Sequence, residues 1–340
     1  PDTLQWGSSG FVSGTLILSS STSLAEVEIV NGIDLNALDR TIQVDTNSTT
    51  NSDLATITGV ISNSGGTAGI VKTGSGILRL LADNTYNGNT AINGGTVRAV
   101  NIGDSSSTSS SFGTGAGIIS LGTGGTSGTL AYVGDGETTN REIDLAGTTA
   151  SVVIESSGTG PLILTNVVNA STGTGAKTLF LRGDLNAANE ITSVLANNGA
   201  GGVLNVTKDD NGTWILGAQS TFTGNMTVSA GPLGIGADSV GSVGSVISSP
   251  VGVTRLIISN GSVFALNGDR TLNNDVQFSG NASANFIGIN SVTLNGNLNT
   301  TTGGNTTVTN MLPAGEYLTI NSPTYTGTEA TTARTLVFNG

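Results

Sequence analysis

The stretch 70-IVKTGSGILRLLADNTYNGNTAINGGTVRAV-100 is written a second time, without a gap, as 206-VTKDDNGTWILGAQSTFTGNMTVSAGPLGIG-236. Lys72 falls on Lys208, Gly76 on Gly212, Leu80 on Leu216, Thr85 on Thr221, Gly88 on Gly224 and Gly95 on Gly231, and Tyr86 faces Phe222. A second pair of segments, 128-GTLAYVGDGETTNREIDLAG-147 and 261-GSVFALNGDRTLNNDVQFSG-280, recurs at nearly the same offset. Repetition at a long fixed period indicates stacked units, each covering its neighbour's hydrophobic face. Residues 1–340 therefore read as a single continuous solenoid built on super-repeats of roughly 135 residues.

Within a unit the side chains alternate. Trp214, Leu216 and Ala218, then Met226 and Val228, then Leu233 and Ile235 share one face; Leu78, Leu80, Ala82, Thr90, Ile92, Val97 and Ala99 hold the same places in the first copy. Alternate residues of a strand point the same way, so these are the inward positions of successive short strands. The glycine pairs 76/212, 88/224 and 95/231 fall between them, where corners call for positive φ. The same period-2 pattern marks 15-TLILS-19, 41-TIQVD-45, 117-GIISL-121, 151-SVVIE-155, 178-TLFLR-182, 255-RLIIS-259 and 335-TLVFN-339. The best helical candidate, 184-DLNAANEITSVLANN-198, is diluted by Asn and β-branched residues and reads as strand and turn. The expected fold is all-β: a parallel β-helix with a strand on each face about every 20 residues, Gly- and Asn-rich turns, and ladders of Ser, Thr and Asn linking successive rungs.

Composition agrees and excludes much else. With 51 glycines, 6 prolines and 4% aromatics among 340 residues, the chain builds thin apolar layers rather than a thick core. Eleven basic against 23 acidic residues give a thinly spread net charge of −12 and leave no basic patch that could collect phosphates, which disfavours nucleic acid and anionic membranes. No apolar run approaches the ~20 residues that cross a bilayer. The absence of Cys and His removes disulfides, thiolate nucleophiles, imidazole bases and most zinc or iron chemistry.

The series Lys72, Gly74, Gly76, Leu78, Leu80, Asn84, Thr85, Tyr86, Gly88, Thr90, Gly94, Gly95, Thr96 and Val97 resembles the passenger-associated β-strand repeat of bacterial autotransporters. The second copy departs at Asp210, where the pattern has Gly, and at Ser220, where it has Asn. The resemblance implies a right-handed parallel β-helix passenger, displayed on the cell surface or secreted, in which the repeat aids folding and export. It carries no catalytic residue over.

Candidate chemistry is sparse. The acidic groups Asp209-Asp210-Asn211 and Asp135/Glu137, with Arg141 and Glu142 nearby, fit solvated turns; calcium binding and acid/base work on a sugar bond are the alternatives. Trp6, Trp214, Tyr86, Tyr132 and Tyr325 are candidates for a sugar-stacking surface, with Trp214 better placed in the core. Arg40, Arg141, Arg270 and Arg334 recur in like settings and read as corner arginines beside turn carboxylates. The run 103-GDSSSTSSSFGTGAG-117 reads as a loop bulging from the rod.

No catalytic, cofactor-binding or metal-ligating residue is assigned, and no cofactor is expected. The expected function is a non-enzymatic, extracellular structural or adhesive rod. The alternatives are a filament subunit that polymerises end to end and, last, a polysaccharide-degrading enzyme. Partners follow from these: a second copy, neighbouring parts of a longer chain, or a carbohydrate or protein of a cell surface. Neither 1-PDTLQWG-7 nor 333-ARTLVFNG-340 reads as a cap, so both ends are expected to offer strand edges, in a slice of a longer rod or in a polymer.

Overall fold

The β-branched runs form short strands that pair in parallel with the strand one turn of chain later, in a computed structural model describing residues 2–7, 11–47, 49, 54–171, 173–301, 305–327 and 335–340. The chain divides into two compact units, Pro1–Gly173 and Thr174–Gly340. No helix occurs among the described residues, so none there is long and apolar enough to cross a membrane.

In the first unit the chain visits three parallel sheets in turn. Leu4–Gln5 is followed by Leu16–Ser19 and Val27–Ile29, and Ile33–Asp34 then returns to lie beside Leu4–Gln5. Seven strands, ending with Val167–Val168, build the second sheet. The third stacks Val27–Ile29, Leu54–Ile57, Ile77–Leu80, Thr96–Ala99, Thr129–Tyr132 and Val152–Ser156. Its in-register pairing makes two inward columns, Ala55, Leu78, Val97, Leu130, Ile154 and Ile57, Leu80, Ala99, Tyr132, Ser156, all buried. Each large aliphatic in such a column contributes about 1.5–3 kcal/mol by leaving water.

The second unit repeats the plan. Val206, Met226, Leu256, Val276 and Leu298 form one inward column, and Trp214, Leu233, Val263 and Phe286 another. A third parallel sheet joins Arg270–Leu272, Val292–Leu294 and Leu318–Ile320. An antiparallel hairpin, Val240–Ser242 with Ser245–Ser248, stands out from the stack. The side chains of Trp214, Leu216, Met226, Val228, Leu233 and Ile235 are all buried, as the alternation requires. Ala82 and Ala218 are only half-buried, because the strands before them end at Leu80 and Leu216.

All seven period-2 runs form strands, and 184–198 contains the strand Asn189–Ile191 and no helix. The ladders are present too: Asn321 donates to Asn295, which donates to Asn273. Rung length, however, is not uniform. Ile77 pairs with Thr96 across a short rung, whereas Thr96 pairs with Thr129 across a much longer one. The long rung absorbs 103–117, which bulges only in part: residues 104–106, 108 and 116 are exposed, whereas Ser110, Ser111 and Phe112 are fully buried.

The corner glycines divide into two kinds. Gly95 and Gly231 have φ of +61° and +64°, as corners demand. Gly88 and Gly224 do not adopt positive φ; a Cβ on Gly88 would press on the Ala68 backbone and one on Gly224 on the Leu204 carbonyl of the preceding rung. Gly212 likewise lacks positive φ and abuts the Gly183 carbonyl, and Gly76 is not among the positive-φ glycines. For Gly88, Gly212 and Gly224 the requirement is close approach between rungs. Gly224→Ala should therefore destabilise the fold by about 1–3 kcal/mol in urea denaturation, while Gly14→Ala, where a Cβ meets nothing within 4 Å, should be neutral.

Candidate functional site

Lys72 and Lys208 sit at inward strand positions, in register with Ile92 and Val228 of the next rung, and both are fully buried. An ammonium there needs acceptors to offset lost hydration. Lys72 Nζ donates to the carbonyls of Thr73 (2.8 Å), Gly74 (2.9 Å) and, one rung on, Gly94 (3.0 Å). Lys208 Nζ donates to those of Asp209 (2.6 Å), Asp210 (2.8 Å) and Ala230 (3.0 Å). One buried cation thus ties two successive turns of the coil in each repeat. Burial pushes both lysines down to about 8, opposed by Asp45 at Lys72 and by Asp210, Asp209 and Asp184 at Lys208.

The turn around the ammonium explains one departure from the pattern. Gly74 adopts φ +76° and Asp210 φ +59°, and each supplies one of the three carbonyls. Aspartate is among the few non-glycine residues that tolerate this region, and its carboxylate accepts the Gly183 N–H at 3.2 Å. Gly231 must remain glycine on a second count, since a Cβ there would lie 2.8 Å from Lys208 Nζ.

The other departure keeps half of its function. Asn84 accepts the Ile61 N–H at 2.7 Å and donates to the Ser111 carbonyl at 2.7 Å. Ser220 retains the first contact, accepting the Leu195 N–H at 3.1 Å. Both positions bridge antiparallel to a serine of the following turn, Ser110 and Ser249. Tyr86 and Phe222 are buried beside them. The Tyr86 hydroxyl pairs with the Thr90 hydroxyl at 2.6 Å, and burial pushes its pKa up; in the second copy Phe222 lacks the hydroxyl and Met226 replaces the threonine, so both polar groups are absent together.

The arginines serve the backbone rather than turn carboxylates. Arg141 is buried and donates to the carbonyls of Phe112 (2.7 Å), Gly113 (3.3 Å) and Thr114. Its counterpart Asn274 makes the corresponding bond to Gly252 at 2.9 Å. Arg40 donates to Leu35 (2.8 Å), and Arg270 to Asn267 and Asp269. Arg334 lies outside the described residues.

The acidic candidates are occupied in the same way. Asp209 pairs with Arg182 at 3.1 Å, and Glu137 accepts the N–H groups of Ile102 (2.8 Å) and Gly103 (2.6 Å). Arg141 points into the core, away from any joint site with Asp135 and Glu142, which are not buried. Among the described residues no three acidic side chains gather as a metal site would require. Trp6, Trp214, Tyr86 and Tyr132 are buried and cannot stack on a sugar; Tyr325 is exposed. It lines an open apolar groove of about 730 Å³ with Leu298, Leu318, Ile320, Leu336 and Phe338.

Residues 70–99 and 206–234, the two segments built around the caged lysines, each match the model of the passenger-associated-transport-repeat. The chain carries two passenger-associated-transport repeats. Part of it is also 36% identical, over 167 residues, to the Adhesin BmaC autotransporter of Brucella suis biovar 1 (strain 1330). That similarity covers 48% of this chain and 5% of the relative. No solved structure matches. Repeat and relative agree on a cell-surface or extracellular location. The lysine at the head of each passenger-associated-transport repeat was visible as a match between copies, and its inward place in the alternation was the signal for its role.

Lys208→Met should leave three carbonyls without their donor and destabilise the fold by about 2–5 kcal/mol in urea denaturation. An unchanged midpoint would remove the cage from the account. The Cε resonances of Lys72 and Lys208 should titrate near pH 8. Since the unfolded chain then holds more protons between pH 8 and the ordinary lysine value, each lysine should add stability as pH rises through that window. Midpoints at the ordinary value would mean that the ammonium groups are not buried.

Proposed function

We propose that this chain is part of the exported passenger of an autotransporter-type adhesin, a non-enzymatic surface scaffold whose rungs hold binding side chains at fixed spacing. The observation that carries the reading is the combination of two passenger-associated-transport repeats with similarity to an autotransporter adhesin. The parallel coil supports it physically: successive strands place outward side chains in rows at about 4.8 Å intervals, suited to an extended ligand. The super-repeat of roughly 135 residues is read here as the module by which such a passenger is lengthened. Partners of this kind are a protein or carbohydrate of a host or cell surface.

A second reading, end-to-end association, is favoured by the groove at Leu298, Leu318, Ile320, Tyr325, Leu336 and Phe338. The same groove would equally seat a further rung of a longer chain.

Beads coated with the purified chain should adhere to host epithelial cells saturably, with soluble chain competing. Adherence no greater than that of albumin-coated beads would contradict the adhesive reading. Sedimentation of the same preparation tests the second: mass that grows with concentration, and is reversed by Phe338→Glu, would support association through the groove, and a constant monomer mass would exclude it.

A further inference from the structure

In the third sheet of the first unit, Arg79 and Arg98 stand directly opposite each other on adjacent parallel rungs. Both alternate with buried leucine, valine and alanine, so both face outward. The rungs are about 4.8 Å apart, and like charges in direct register oppose pairing. Arg79 has a distant acidic neighbour, Glu26 at 4.0 Å, which also accepts the Thr56 hydroxyl. Arg98 has no hydrogen bond or ion pair among the described residues, and Nε of both arginines lacks a partner. Two guanidinium groups in a chain with 11 basic residues and a net charge of −12 are thus set side by side without a full complement of anions.

The second unit demonstrates that the fold does not need them. In the super-repeat Arg79 falls on Ile215 and Arg98 on Gly234, which pair in the same register, and Ala131 falls on Phe264. There the Phe264 ring crosses Gly234 towards Ile215, and the row is closed by apolar contact. In the first unit the row runs Thr56, Arg79, Arg98, Ala131, Glu155, with the small Ala131, itself buried, where the second unit has Phe264. The neighbouring outward row holds Thr96 and Thr129, both half-buried. The carboxylates that face this strip are Glu26 and, in register with Thr56 two rungs from Arg79, Glu28 at one end, and Glu155 two rungs from Arg98 at the other.

We propose that Arg79 and Arg98 form an oxyanion-binding site for an acidic polysaccharide. One sulfate or carboxylate would be bracketed by the two guanidinium groups, with hydroxyls of the adjoining sugars against Thr96 and Thr129. Guanidinium presents a planar fork that matches oxyanions in pairs of hydrogen bonds, and a bound anion removes the repulsion between the arginines. The flat parallel face suits an extended saccharide running across the rungs. The site names a ligand class for the adhesive reading and rests on it.

Purified chain should be titrated calorimetrically with a sulfated hexasaccharide of heparin type, an oligogalacturonate hexasaccharide, neutral maltohexaose and a deoxyoligonucleotide of matched charge. Binding of either acidic saccharide, and not of maltohexaose, is expected; the arm that binds distinguishes sulfate from uronate. Arg98→Gln and Arg79→Ile, the latter the residue of the second unit, should each weaken it about tenfold. Arg182→Gln, whose arginine is already paired with Asp209, should leave it unchanged. The logarithm of affinity should fall shallowly with salt, with a slope of about 1–2. Without ligand, Arg98→Gln should be at least as thermostable as the parent, because repulsion is relieved. The proposal is overturned by no binding of either acidic saccharide, by affinity unaltered in Arg98→Gln, by equal or tighter binding of the oligonucleotide, or by collapse of the fold in Arg98→Gln. Bead adherence that persists in Arg98→Gln would move adhesion to another surface, whereas loss of adherence by the parent chain would sink the adhesive reading and leave saccharide binding to be judged by the titration.

Discussion

A buried ammonium shared among three carbonyls is the constraint around which each repeat is arranged. The lysine must lie at an inward strand position for its stem to pack against aliphatic neighbours. Its head must then find acceptors where the strand ends, and two come from the turn that follows while the third comes from the next rung. From this follow the left-handed residue at Gly74 or Asp210, the glycine at 95 or 231 that lets the carbonyls converge, and the register of the strands on either side. A coil whose apolar layer is thin gains from such a tie because it selects one register among many near-equivalent ones.

The tie also falls where closing a turn of the coil is entropically least costly. The rungs inside the repeats are the short ones, from Ile77 to Thr96, Ile70 to Thr90, Trp214 to Leu233 and Val206 to Met226. Among the described pairings most others are longer, the longest running from Thr96 to Thr129, although the rung from Arg255 to Asp275 is as short as those of the repeats. Loop-closure entropy rises with length and must be met before parallel pairing returns any energy. Short rungs with a specific internal clamp are therefore the parts of the chain best able to form early and to template the longer ones.

Strand positions and their inward faces were legible because period-2 alternation is a local signal that survives in a Gly-rich chain. The repeat was legible because the same contacts recur at the same spacing. What escaped was whatever depends on which backbone lies one rung away. Gly88 and Gly224 looked like corners and are points of close approach; Arg141 looked like a surface corner arginine and is buried beneath 112–114, on the preceding turn of the coil. The Ser-rich run 103–117 looked like a loop because its composition is polar, yet its second half folds back to satisfy Asn84 and Arg141. Outward rows were equally hidden, since Arg79 and Arg98 become neighbours only through register. The contrast of that row with Ile215, Gly234 and Phe264 separates what the scaffold requires from what one unit adds to it.

The most direct test of the clamp as organiser of the coil is native-state hydrogen exchange across the whole chain, resolved by amide. The strand amides of 70–99 and 206–234 should be the slowest to exchange, with those next to the caged lysines, such as Asn93 and Ser229, which donate to the Lys72 and Lys208 carbonyls, opening only with global unfolding. Exchange in those two segments that is as fast as in the long rungs around Thr129 or Leu256 would contradict the account.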